Sequence, residues 1–249
     1  MGSNLILYHD NILADAVLVS GSEQESLSSA QFLCDDRLSF KYTATGTHTL
    51  IKIDQPSSAI DPWRFLVLVD STLSGATAVV RTYPTDARSS ATVVWSGSLG
   101  FDEPNVTDFG AVPAQLQYVD VELTASGGQR LSVGELMLAS RFESPRFPAP
   151  GIVTDYLPRR TFIDLQNGER QSIRHAGVVR HKVYALQGLD EDGAAQWVEI
   201  FDANEGARLV VLTDDEGDTY PALLKETLST NKTATRFDIG LEFTEVKLT

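Results

Sequence analysis

The sequence predicts a mainly β protein in two parts, a β-sandwich followed by a smaller β-barrel or sandwich that carries one short helix. Three observations predict it. Over the first 140 residues, short β-branched stretches are interrupted by Gly, Pro, Ser, Thr and Asp, the spelling of many strands joined by turns. Pro145, Pro148, Pro150 and Pro158 then crowd into residues 142–160, where no helix or central strand survives. Beyond them, strand-like stretches resume around one segment with helical spacing.

In the first part the expected strands are HTLIKID (48–54), RFLVLVDS (64–71), ATAVVRTYP (76–84), ATVVWSGSL (91–99), LQYVDVELT (116–124) and LSVGELMLAS (131–140). Their intervals suit a sandwich with loops at its ends. In LQYVDVELT, Val119, Val121 and Leu123 alternate with Tyr118, Asp120 and Glu122, so a sheet with one wet face is expected. The prolines define a semi-rigid connector. The expected organisation is therefore a sandwich over 1–143, a connector over 144–158 and a second β domain over 159–249.

In the second part, Asn167-Gly168 marks a hairpin turn, because both positions tolerate positive φ. VVRHKVYALQGL is a further strand, and residues 194–207 place Trp197, Ile200 and Phe201 on one face of a short helix. Two more strands, ARLVVLTD and TYPALLKETLS, precede TRFDIGLEFTEVKL, where Phe237, Ile239, Leu241 and Phe243 alternate as in a half-buried strand.

The 249 residues, 42 % hydrophobic and 22 % charged, supply an ordinary globular core, and the net charge is −14. Residues 1–150 hold 9 basic and 17 acidic side chains, and residues 151–249 hold 11 and 17. Neither half is a basic nucleic-acid arm. A lone Cys34 excludes an internal disulfide. No run of apolar residues is long enough to span a bilayer, and the N-terminal residues lack a signal-peptide pattern, so synthesis in a cytosol without membrane insertion is expected. Asn105 and Asn231 head sequons that matter only in a secretory pathway.

Catalytic signatures are weak. Cys34 sits beside two aspartates that disfavour a thiolate, no serine lies in a nucleophile elbow, and no P-loop or dinucleotide fingerprint occurs. His175 and His181 lack the companions of a zinc site. Asp190-Glu191-Asp192-Gly193 and Asp214-Asp215-Glu216-Gly217-Asp218 offer oxygen ligands, but they match turn punctuation better than a calcium loop. The expectation is a non-enzyme with no catalytic residue, metal or cofactor. For sugar contact the candidates are Trp63, Trp95 and Phe101 as ring platforms, Trp95 being the more core-like, with Arg88 as a partner for hydroxyls.

The first part, through DDRLSFKY, HTLIKID, RFLVLVDSTLSGATAVVRTYP and the closing Gly134-Glu135-Leu136-Met137-Leu138 strand, resembles the discoidin or galactose-binding-like, jelly-roll-like sandwiches of phage tail proteins. The second part, through RRTFIDLQNGERQSIRHAGVVRHKVYAL, WVEIFDAN and FDIGLEFTEV, is similar to the fold of tail-tube and distal tail proteins. Here the ring-type part comes last, the reverse of the order common in distal tail proteins. The resemblance implies a structural virion protein of a long-tailed phage, assembled in the host cytoplasm. It would close into a ring, expected to be a hexamer, at the tube end and carry fibre or hub proteins. DNA would pass through an acidic lumen without specific binding. Asp190, Asp192, Asp214 and Asp215 are candidates for that lumen or for turns. Arg159, Arg160, Arg174 and Arg180 are candidates for a subunit interface. The alternative is a carbohydrate-binding module for attachment to host glycans through Trp63 and Arg88, and a weaker third reading is a glycan-degrading enzyme with an unidentified acidic pair.

Overall fold

A computed structural model describes the chain apart from residues 1–2, 15, 23–24, 26–27, 36–37, 39, 57–61, 74, 101, 114–115, 150–152, 165–169, 205–207, 226–228, 234 and 247–249, and gives only the backbone for 18, 153, 156–178, 204, 229 and 233. The fold is mainly β. Contacts divide it into two compact units, Leu7–Phe142 and Met1–Ile6 with Glu143–Thr249.

The first unit contains β1 (Ile6–His9), β2 (Leu18–Gly21), β3 (Tyr42–Thr43), β4 (His48–Asp54), β5 (Phe65–Ser71), β6 (Thr77–Tyr83), β7 (Thr92–Ser98), β8 (Asn105–Asp108), β9 (Tyr118–Thr124) and β10 (Ser132–Glu143). The six strands expected from the sequence are all present. One sheet runs β2-β4-β9-β6-β7, and the other runs β1-β10-β5-β8 with β3 beside the start of β10. Alternation selects the core: Ile51, Ile53, Val119, Val121, Leu123, Ala78 and Val80 from one sheet meet Leu66, Leu68, Val133, Leu136 and Leu138 from the other.

The expected wet face of β9 is partly covered. Asp120 is only 3 % exposed, because the turn after β6 brings Arg88 over it, with Arg88 Nε 2.7 Å from Asp120 Oδ1 and Nη2 2.5 Å from Asp54 Oδ1. The guanidinium also lies over the Tyr118 ring at 5.6 Å. Arg88→Ala would leave Asp120 buried without its cation, and a loss of about 2 kcal/mol of stability is expected in chemical denaturation.

The second unit contains β11 (Val153–Asp164), β12 (Arg170–Leu189), α1 (Glu191–Asn204), β13 (Leu209–Thr213), β14 (Thr219–Leu224), β15 (Ser229–Thr233) and β16 (Arg236–Glu245). Its sheet runs β11-β12-β16-β14-β13, with β15 also on β16. Residues 153–158, expected in the connector, are strand. Proline density is tolerated because β11 is an edge strand and Pro158 lies at a register shift. β11 and β12 pair antiparallel from Val153↔Val183 to Asp164↔Arg170, while the turn expected at Asn167-Gly168 lies outside the described residues. The helix starts before residue 194. Asp190 caps it, its Oδ1 accepting the Gly193 N–H at 2.9 Å and its carbonyl the Ala194 N–H at 3.0 Å. Ala194, Trp197 and Ile200 are its buried face. Among the described residues no helix is long and apolar enough to cross a membrane.

Two half-buried carboxylates tie folding to pH. Glu122 is held below its ordinary 4.5 by hydrogen bonds from His48 and Arg81, and Glu242 by those from Lys225 and His181. Because the folded value lies below the unfolded one, the stability they contribute is complete above about pH 5 and is lost as pH falls through the folded value. Thermal melts in an acid series are expected to show Tm falling below about pH 5.

Candidate functional site

At one end of the sandwich β5 stops and β10 begins, with Ser71 opposite Val133, and β3 and the start of β8 come alongside. A short 3-10 turn, Ala30–Leu33, closes this end. Ser29 caps it through its hydroxyl on the Gln31 N–H at 3.2 Å, and Ala30 and Leu33 are buried. This anchoring leaves Phe32 half-buried beside Phe40, a residue that is 48 % exposed and whose ring centroid lies 5.4 Å from that of Phe32 at an interplanar angle of 33°. The next residue, Lys41, pairs with Asp70. Asp70 has φ 50°, and the Glu103 carboxylate accepts the N–H groups of Asp70 and of Ser71, the latter at 3.3 Å. Arg130 pairs with Glu25 at 2.5 Å, and its carbonyl accepts the Thr72 hydroxyl at 2.9 Å. An exposed ring beside rigidly held charged groups can stack on the C–H face of a sugar while those groups bond its hydroxyls.

The residues expected to touch sugar lie elsewhere. Trp63 is wholly buried, edge-on to Phe109 at 5.7 Å, and has no free ring face. That corrects its assignment as a platform: it precedes β5 and fills the core at the opposite end. Arg88 is consumed by Asp54 and Asp120. Trp95, expected in the core, is half-buried, with its ring against Gly97, where an added Cβ would meet it at 2.8 Å. Phe101 lies outside the described residues. Phe32 and Phe40 were missed because they stand in a charged, non-alternating segment; two phenylalanines there with no strand or helix period to bury them were the available signal.

In the second unit, Asp190 is a helix cap and Asp192 lies exposed in the first helical turn. Asp214 corrects the expectation of a lumen or solvated turn, since it is 0 % exposed. Its Oδ2 lies 2.8 Å from Lys182 Nζ, and its Oδ1 accepts the N–H groups of Glu216 and Asp218, both at 3.0 Å. Asp215 accepts from Lys182 at 3.4 Å and from the Tyr184 hydroxyl at 3.2 Å. Burial pulls the Lys182 pKa down, but the hydrogen bond and charge of Asp214, with Glu216 and Asp215 adding, leave it raised. Burial raises the Tyr184 phenol, as do Tyr220 and these aspartates. Asp214, Glu216 and Asp218 bring carboxylates within 4.8 Å of one another, yet both oxygens of Asp214 are already engaged. Arg180 pairs with Asp218 at 2.6 Å and lies over Tyr220 at 5.0 Å. Arg160 stands opposite Arg174 in the β11–β12 register; the side chains of Arg159, Arg160 and Arg174 lie outside the described residues. His181 bonds Glu242 at 2.7 Å, and the His175 side chain is not among those described.

No family model matches the chain, and no curated protein matches it. Among solved structures it is similar to the CBM32 of AlyQ in complex with 4,5-unsaturated mannuronic acid, with 20 % identity over 51 % of this chain and 96 % of that one and a TM-score of 0.41. It is also similar to chitosan-binding module 1 of a chitosanase/glucanase from Paenibacillus sp. IK-5, with 12 % identity over 52 % and 98 % and a TM-score of 0.40. A truncated AlyQ with CBM32 and alginate lyase domains gives 16 % identity over 77 % and 50 % and a TM-score of 0.39. At such scores these likenesses do not bear on what this chain binds.

Proposed function

We propose that the Leu7–Phe142 sandwich is a non-catalytic carbohydrate-binding module that attaches its bearer to host glycans. The observation that carries this reading is the Phe40 ring, exposed at a loop end where Phe32, Lys41 and Asp70 fix its surroundings. A non-catalytic role is supported by the carboxylates of the neighbouring sheet, which are committed to ion pairs: Asp54 and Asp120 to Arg88, and Glu122 to Arg81. Phe40→Ala is expected to weaken glycan binding about tenfold, read by calorimetry with the glycan selected on an array, while changing stability by no more than about 0.5 kcal/mol. Unchanged affinity in that variant would remove the site.

A second reading, a ring-forming distal tail or baseplate protein, is favoured by β12. Its residues 181–189 pair with β16, but among the described residues Arg170 to Val179 pair with β11 alone. A two-stranded ribbon is marginal by itself in water, and a neighbouring subunit would supply the missing support. Light scattering at several concentrations and two salt levels tests this. Rings, or a monomer that closes only with tail proteins, support it; a strict monomer indifferent to them does not.

A further inference from the structure

We propose that Lys182 and Asp214 form an intramolecular amide bond, a modification site tying β12 to the β13–β14 turn. The two side chains are 2 % and 0 % exposed, and Nζ stands 2.8 Å from Oδ2. Burial alone would make this an ordinary ion pair; the remaining contacts equip it for reaction. Asp214 Oδ1 accepts two backbone N–H groups, from Glu216 and Asp218 at 3.0 Å. Attack of nitrogen on Cγ places negative charge on that oxygen, and donors already aimed at it stabilise such charge. Glu216 Oε2 lies 3.2 Å from Nζ, and its side chain is 68 % exposed, so it can accept a proton from the nucleophile and exchange it with solvent.

The atoms balance without another reagent. The ammonium of Lys182 gives one proton to Glu216, and the freed lone pair forms the Nζ–Cγ bond. The Cγ–Oδ2 bond then breaks, Oδ2 leaving as water with that proton and a second one from nitrogen. One hydrogen remains on the amide nitrogen. A cation and an anion, both costly to bury, become one neutral group. The raised pKa of Lys182 makes the neutral amine scarce and the reaction slow, but the step occurs once per molecule and the partners are held together throughout.

The test is the intact mass of the purified full-length chain, followed by a peptide map. The expected mass is one water, about 18 Da, below that of the unmodified sequence, with a branched peptide joining Lys182 to Asp214. The Lys182→Arg variant is expected at its full mass. Glu216→Gln, altering an exposed side chain, is expected to slow the mass loss after synthesis. A wild-type chain at full mass overturns the proposal. So does a water loss that maps elsewhere, for example to Asp192-Gly193, and persists in Lys182→Arg. Neither glycan binding nor ring assembly enters these readouts.

Discussion

Lys182→Ala is expected to lower the stability of the Glu143–Thr249 unit by about 3–5 kcal/mol. The variant leaves Asp214 at 0 % exposure with only the more distant Arg180, 3.8 Å from its Oδ2, as a cation, in a turn where Glu216 loses its Lys182 contact and Asp215 keeps only the Tyr184 hydroxyl. Urea unfolding followed by circular dichroism measures the loss. The same titration applied to Asp214→Asn separates charge from geometry, because the asparagine carbonyl still accepts the N–H groups of Glu216 and Asp218. Lys182→Met combined with Asp214→Asn is therefore expected to recover part of the loss, since exchanging both partners is far less damaging than orphaning one. A Lys182→Ala change below about 1 kcal/mol would mean that water enters and solvates Asp214.

Trp63→Ala is expected to cost the sandwich about 3–5 kcal/mol. Trp63 is among the largest wholly buried side chains, and its removal strips Phe109 of an edge-to-face contact in the gap between the sheets. A lowered urea midpoint for this unit, with the second unit's transition unmoved, is the expected result. Any accompanying loss of glycan binding should follow the unfolded fraction, whereas Phe40→Ala should weaken binding in a fully folded protein.

The strands were legible because alternation reports burial on one face directly. HTLIKID, LQYVDVELT and FDIGLEFTEV show their inward residues in plain order, and the structure turns those residues into the core. The edge strand through Pro158 was not legible, because proline forbids only the interior of a sheet and sequence alone does not reveal which strand is at the edge. The proposed binding end of the sandwich was misread for a related reason. Trp63 follows a proline at a strand entrance, a context that suits an exposed ring and a buried one equally, and burial was decided by Phe109, forty-six positions away. Arg88 was expected to meet sugar hydroxyls, but it is held by Asp54 and Asp120, which come from two strands far from it in sequence. The Asp214 turn has the spelling of a solvated hairpin. Only the register of β12 brings Lys182 beneath it and changes its meaning.

β10 has its first residue beside the Phe40 loops and its last where the chain leaves the sandwich. Twelve residues of extended strand measure about 40 Å. Whatever those loops hold is thus the full height of the sandwich away from the point where β10 ends. Attachment of the protein to a bead or grid through the Glu143 side leaves the loops clear, whereas coupling through Lys41 blocks them, so the choice of attachment chemistry alone can decide whether a binding assay reads a signal or silence.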